Sequence, residues 1–247
     1  MSLETIVDLQ RHPLSDASFR AASKQALDHD GVLALSGFLQ PPTLAALVAE
    51  AKRNEDQAFF ASSTHNVYLT PPDQRLASDH VFNRQVISTK GCICDDRVEE
   101  HSPLRQLYNA PAFQAFLCAV LGEVALHPYA DPLSSINIHY APAGKELGWH
   151  FDNSAFALTL LLQKPEAGGH FEYIPKIRKE EESTFGFVDD IEEECLDDLN
   201  EILDGNKDPE RLEIEPGTLL LFKGRDSLHR VSTAYGNRQR ILCVLAY

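Results

Sequence analysis

The chain has 247 residues, 43% hydrophobic and 24% charged, the composition of an ordinary globular protein, which excludes fibrous, collagen-like and globally disordered readings. With 22 basic against 37 acidic residues the net charge is −15, a field that repels phosphate backbones and argues against nucleic-acid binding. No apolar run approaches the ~20 residues that span a bilayer. The first twenty residues lack an apolar signal core, so the expectation is a cytosolic, non-membrane protein.

In chain order, residues 16–29 read as a helix with Phe19, Ala22, Ala26 and Leu27 on one face. Asp30-Gly31 then turns into the short strand Val32-Leu33-Ala34-Leu35. Pro41-Pro42-Thr43 opens a second helix through Leu44, Leu47, Val48 and Ala51. Residues 53–80 are polar and are expected to be irregular. A third helix is expected over 103–121, ended by Gly122. The pattern then changes to strands: Ile136 to Tyr140, Phe156 to Leu162, His170 to Ile174, Thr218 to Phe222 after the turn Pro216-Gly217, and a closing strand from Arg240. Several short strands after a helical N-terminal third predict an α+β chain with a mainly β core: a jelly roll buttressed by N-terminal helices, as one domain over 1–247.

Between two of these strands, residues 176–210 carry Lys179-Glu180-Glu181-Glu182, Asp189-Asp190 and Glu192-Glu193-Glu194, with Phe187, Ile191, Leu196, Leu199 and Ile202 at helical spacing. This reads as an acidic, partly helical insertion, either a lid or a solvated excursion. Five scattered cysteines (Cys92, Cys94, Cys118, Cys195, Cys243) lack the partners of a zinc site and read as thiols in a reducing compartment.

The informative segment is Gly148-Trp149-His150-Phe151-Asp152-Asn153. In extended chain, side chains two apart face the same way, so His150 and Asp152 converge. His229, in Ser227-Leu228-His229-Arg230-Val231, supplies a second imidazole. Two histidines and one carboxylate on one face of an iron leave the other face open, the facial triad of non-haem Fe(II) oxygenases. His-x-Asp alone is weak, since ten histidines produce such a pair roughly once by chance. A decoy, His170-Phe171-Glu172, is also present. Register separates them: His150 precedes the long apolar strand, whereas His170 follows Ala167-Gly168-Gly169. Arg238 and Arg240, which alternate after His229, fit the remaining need. A 2-oxo acid chelating the iron has a distal carboxylate, and arginine binds carboxylates with two parallel charged bonds. The spacing leaves open which of the two does so.

Taken together, Asp30-Gly31-Val32 with Gly37-Phe38-Leu39, Gly148 to Asp152, Gly168-Gly169-His170-Phe171-Glu172-Tyr173, Pro216-Gly217-Thr218-Leu219 and His229 to Arg240 resemble the Fe(II)/2-oxoglutarate-dependent dioxygenases, over about residues 30–247. Residues 147–159, Leu161-Leu162-Gln163 and Phe222-Lys223-Gly224-Arg225 are most similar to the bacterial branch of free amino-acid radical halogenases and their hydroxylase relatives.

The resemblance implies a cupin-like double-stranded β-helix that uses Fe(II), 2-oxoglutarate and O2. It implies His150, Asp152 and His229 as metal ligands and catalytic residues. For 2-oxoglutarate it implies Arg240, with Arg238 second, and Asn137 and Tyr140 beside it, with Arg84 reaching the site from a loop. The expected reaction is hydroxylation of an unactivated C–H bond in a small polar substrate, a free amino acid, with Asn153 as a substrate contact. A desaturase or cyclase of the same family and a non-enzymatic 2-oxoglutarate or iron sensor are the alternatives.

Overall fold

The computed structural model describes residues 2–131, 133–178 and 193–247. Six helices are α1 (Leu3–Ile6), α2 (Ala17–Asp30), α3 (Pro41–Arg53), α4 (Pro103–Tyr108), α5 (Pro111–Leu121) and α6 (Glu193–Asp204). The strands are β1 (Val32–Leu35), β2 (Phe59–His65), β3 (Val86–Ile93), β4 (Ile136–Ala141), β5 (Leu147–His150), β6 (Ala157–Gln163), β7 (Ala167–Gly168), β8 (Phe171–Ile174), β9 (Glu210–Leu212), β10 (Leu219–Phe222), β11 (Leu228–Val231), β12 (Ala234–Tyr235) and β13 (Arg240–Leu245).

Local chemistry sets the helix ends. The Asp16 carboxylate caps α2 by accepting from Phe19 N at 2.7 Å, and Gly31 closes it at φ 72°. The single helix expected over 103–121 is two helices. Pro111 cannot continue α4, and it holds Ala110 extended at φ −73°, ψ 118°. Gly122 ends α5 as expected, at φ 79°. The region 53–80 is not wholly irregular: β2 runs through it. Its residues are almost all exposed because it pairs only with β3, so no apolar alternation marks it.

Eleven strands form one curled antiparallel sheet in the order β1-β10-β6-β13-β4-β3-β5-β11-β8-β9, with β2 added beside β3. Strict alternation gives the sheet two faces. Toward the helices point Leu158, Leu160 and Leu162 of β6, Leu219 and Leu221 of β10, Ile241, Cys243 and Leu245 of β13, and Ile136, Ile138 and Tyr140 of β4. They pack against Leu27, Leu47, Phe113, Phe116 and Leu117. Each fully buried aliphatic side chain here contributes about 1.5–3 kcal/mol of transfer free energy. The opposite, inner face holds Leu161, Leu220, Phe222, Leu242, Phe171 and Tyr173. This is the curled, half-barrel jelly roll that the strand pattern implied.

The expected insertion lies between β8 and β9. Its residues 179–192 fall outside the described residues. Within it, Leu199 and Ile202 of α6 are buried against Trp149, Val67 and Leu228, so this part of the insertion packs on the sheet. No helix among the described residues is long and apolar enough to cross a membrane. Cys92, Cys94, Cys118 and Cys243 are free thiols.

Candidate metal centre

β11 lies between β5 and β8, and its register sets His229 directly across from His150. The β5–β11 ladder carries a bulge: His229 pairs with His150, but Val231 pairs with Leu147. The extra residue turns His150 onto the inner face with His229. Gly148 sits in that bulge because a Cβ there would lie 2.7 Å from the Ile87 carbonyl oxygen. The two imidazole centroids are 4.3 Å apart, tilted by 48°.

Asp152 follows β5 by two residues. Its amide N–H donates to Gly224 O at 2.9 Å, and the Phe151 N–H donates to Val67 O at 2.8 Å. The carboxylate is thereby held between the rings, with Oδ1 3.6 Å from His150 Nε2 and Oδ2 3.6 Å from His229 Nε2. These separations are too long for hydrogen bonds and suit a shared cation. One ligand atom from each residue lies within 4.8 Å of the others. Asp152 Oδ2 is buried and accepts no hydrogen bond, a cost that a bound cation would offset.

Both histidines are oriented from behind. His150 Nδ1–H donates to Gly148 O at 2.7 Å, and His229 Nδ1–H donates to Ser227 O at 3.0 Å. This assignment of the ring protons leaves each Nε2 lone pair facing inward, as metal-bound histidines require. Burial, and then the neighbouring His229, push the His150 pKa down to about 3, so the ring is a neutral donor at physiological pH. Further support comes through Ser88. Its Oγ accepts from Gly148 N–H at 3.0 Å and donates to His65 Nε2 at 2.7 Å, while the His65 ring meets His150 edge-on at 6.0 Å. Phe222 stands edge-on to His229 at 4.9 Å. The donor set and the orphaned carboxylate oxygen fit a divalent iron.

The decoy is excluded by parity. Glu172 pairs in register with Arg230, one residue from His229, and so faces the outer side. There it accepts from Arg230 Nε at 2.7 Å and Arg211 Nη2 at 2.8 Å. His170 Nδ1 lies 4.0 Å from Glu213. Among the described residues His150, Asp152 and His229 form the one cluster able to hold a metal.

The two arginines separate as clearly. Arg238 is exposed and donates to the carbonyls of Lys164 and Pro165 at 2.9 and 3.2 Å. Arg240 is buried on the inner face, in the same parity as Leu242, and its guanidinium makes no hydrogen bond or ion pair among the described residues. Burial lowers its pKa to about 10, so it stays cationic at neutral pH. Asn137 shares the inner face of β4. It donates to Ser134 O at 2.9 Å and accepts from the Cys92 thiol at 3.5 Å. Asn153 is exposed directly after Asp152, with its carbonyl accepting from Arg225 at 2.8 Å.

Two expectations are corrected. Tyr140 does not line the site. Its parity on β4 sends it into the helix-side core, where its hydroxyl donates to Ala51 O at 2.7 Å. Arg84 does not reach the candidate metal centre. Asp204 of α6 holds it in an ion pair at 2.8 Å, in an outer-face groove lined by Trp149 and Arg230. Several inner-face residues escaped the sequence reading, namely His65, Ser88, Lys90 and His139. The available signal was the alternation of Ser88, Lys90 and Cys92 in a β-rich run, which places them on one face of β3.

Residues 15–247 match the family model described as Halogenase D. No curated protein matches the sequence. Among solved structures, a 2OG-Fe(II) oxygenase family oxidoreductase from Burkholderia pseudomallei is similar, with TM-score 0.53, 14% identity, and coverage of 92% of this chain and 89% of that one. A Pseudomonas putida prolyl-4-hydroxylase gives TM-score 0.52 at 15% identity, covering 92% of this chain and 98% of that one. The epimerase SnoN, solved with Fe3+, alpha-ketoglutarate and nogalamycin RO, gives TM-score 0.57 at 12% identity, covering 94% and 85%.

Proposed function

The chain belongs to the Halogenase D family and is an enzyme of the 2-oxoglutarate–Fe(II) oxygenase type, and on that premise we propose that it hydroxylates an unactivated C–H bond of a small polar substrate, a free amino acid. The observation that carries hydroxylation is the Asp152 carboxylate, placed 3.6 Å from the Nε2 atoms of both His150 and His229. A carboxylate in that position completes the facial set and leaves no ligand place vacated for a halide. The chemistry supplied by bound Fe(II), 2-oxoglutarate and O2 is oxidative decarboxylation to succinate and CO2, coupled to transfer of one oxygen atom to the substrate.

The chain's own residues do the placing. His150, Asp152 and His229 hold the metal. Arg240 offers a buried guanidinium to the distal carboxylate of 2-oxoglutarate, and Asn137 stands on the same inner face. Phe171 and Phe222, packed against His229, exclude water from one side of the ligand set. Asn153 lies at the exposed end of the ligand turn and is our candidate substrate contact. An amide rather than a carboxylate there disfavours a cationic side chain such as that of lysine.

Aerobic incubation with Fe(II), 2-oxoglutarate and a library of free amino acids, read by mass spectrometry, tests this reading. The expected result is substrate-dependent succinate with a product heavier by one oxygen atom. Succinate with a product lighter by two hydrogens would assign a desaturase or cyclase instead. Turnover confined to carrier-bound or peptidyl substrates would defeat the free amino-acid reading.

A further inference from the structure

The inner face carries a second cation that the metal centre and Arg240 do not use. Lys90 lies on β3 between Ser88 and Cys92, and alternation puts all three on one face. Ser88 fixes which face: its hydroxyl contacts His65 and the Gly148 amide behind His150. Cys92 pairs in register with His139 of β4, and β3 also pairs with β5 at Ser88–Leu147. Lys90 therefore stands where β3 passes from β4 to the metal-bearing β5. Its ammonium forms no hydrogen bond or ion pair among the described residues.

A half-buried ammonium without a partner is costly. Burial pulls Lys90 below the ordinary lysine range, with Cys92 and Asp152 opposing that pull. The same charge is felt by His150 and His139. Arg240, by contrast, is shifted by burial alone. The two cations stand on different strands, Lys90 on β3 beside the metal-bearing β5 and Arg240 on β13, with β4 between them. Asp152 is no counter-ion for Lys90 in the loaded enzyme. A divalent ion held by two neutral imidazoles and one carboxylate leaves that cluster positive. His139, between the two cations, is held neutral by burial and by both of them, so it supplies no negative charge. An anion must come from a ligand.

We propose that Lys90 anchors the carboxylate of the prime substrate, in a subsite separate from the Arg240 pocket for 2-oxoglutarate. This rests on the oxygenase reading above and deepens it. One charged contact at Lys90 would fix one end of a small acid while its carbon chain runs toward the metal face, and orientation of that kind is what selects one C–H bond among several.

The test uses the full-length Fe(II) protein without oxygen, so no turnover is needed. Binding of 2-oxoglutarate is followed by the visible absorption of its iron chelate. A panel of free amino acids, their carboxamides and simple aliphatic carboxylates is then titrated at saturating 2-oxoglutarate, and the perturbation of that absorption is read. In the wild type a free acid should perturb the band at least tenfold more tightly than its carboxamide. Lys90→Gln should weaken that acid tenfold or more, leave 2-oxoglutarate within twofold, and leave the carboxamide unchanged, while Lys90→Arg restores part of the loss.

If Lys90→Gln instead weakens 2-oxoglutarate tenfold and spares the acid, Lys90 belongs to the co-substrate and the proposal is wrong. Equal wild-type response to acid and carboxamide, or no response to any carboxylate, also overturns it. If only carboxylates other than amino acids respond, and respond through Lys90, the subsite stands and the free amino-acid reading falls. A wild-type protein that forms no 2-oxoglutarate chelate would remove both.

Discussion

Gly224 and Asp152 approach so closely that a Cβ on Gly224 would overlap the Asp152 carboxylate, Oδ2 first. The contact is reinforced by the Asp152 N–H donating to Gly224 O at 2.9 Å. Phe222-Lys223-Gly224-Arg225 is therefore part of the candidate metal centre although none of its side chains belongs to the His150–Asp152–His229 cluster. Gly224→Ala should push the carboxylate off its place between the two imidazoles and lower iron affinity by about 10–100-fold, the usual effect of disturbing a ligand's support. Iron stoichiometry after dialysis measures this. Full iron retention in the variant would show that the carboxylate accommodates the methyl group.

The decoy motif gives a cleaner contrast. His150→Ala should abolish iron binding, whereas His170→Ala should retain it. Glu172→Gln should also keep iron while losing stability. It weakens charged hydrogen bonds to Arg230 and Arg211 on the outer face, each worth about 1.5–3 kcal/mol. Thermal unfolding beside metal analysis separates the two effects. Loss of iron in His170→Ala with normal content in His150→Ala would reverse the ligand assignment.

What was legible in the chain follows from periodicity. The continuous apolar runs of β6 and β10 and the alternation of β4 mark them as strands, and His150 and Asp152 were readable as a converging pair because they share one short extended segment. Parity was the harder part. Asn137 and Tyr140 sit on one strand three residues apart, an odd spacing that sends them to opposite faces, so reading both as site residues contradicted the strand itself. Arg84 failed for another reason: its partner Asp204 lies 120 residues away in sequence, on a helix whose docking no local pattern records. β2 hid because an exposed added strand needs no hydrophobic face, and β3 hid because its inner-face side chains, Ser88, Lys90 and Cys92, are not aliphatic, so no apolar alternation marked it.

Arg240 and Arg238 divide by environment, and their variants should divide likewise. Arg240→Ala should raise the KM for 2-oxoglutarate tenfold or more with little change in that for the prime substrate, since a charged bidentate contact is worth about 1.5–3 kcal/mol. Arg238→Ala removes only surface contacts to two backbone carbonyls and should leave both constants near wild type. Steady-state kinetics with each component varied decides it. The opposite pattern would assign the co-substrate to Arg238.

The metal-free protein should weaken in mild acid. His150 is held at about 3 in the folded chain, against about 6.5 for an unfolded histidine. Below about pH 6.5 the unfolded chain takes up a proton that the folded chain refuses until about pH 3, so stability rises with pH across that window. From pH 7 to pH 5 this single group accounts for about 2 kcal/mol of lost stability. His139, also lowered by burial, acts in the same direction. Urea unfolding in the presence of a chelator at the two pH values should show a smaller loss for His150→Asn than for wild type. Equal losses would mean that His150 is not the group responsible.

The outcome of the reaction turns on Asp152. A halogenase mechanism needs a coordination place for halide, and a metal-bound carboxylate would fill it. Here the carboxylate is present, held from behind by Gly224 O and Val67 O through its own and the preceding amide. It faces both Nε2 atoms and adds negative charge where chloride would sit. Occupancy and repulsion act in the same direction. The enzyme should therefore give hydroxylated product and no chlorinated product, even in molar chloride, despite membership of a family described by halogenation. Asp152→Gly should open the place at the expense of one iron ligand, so weaker iron binding should accompany any gain of chlorination. Mass spectrometry reads both products from a single incubation, because chlorine's two isotopes mark its product unmistakably. A chlorinated product from the unaltered enzyme, or Asp152 found turned away from bound iron in a metal-loaded crystal, would refute the argument at its base.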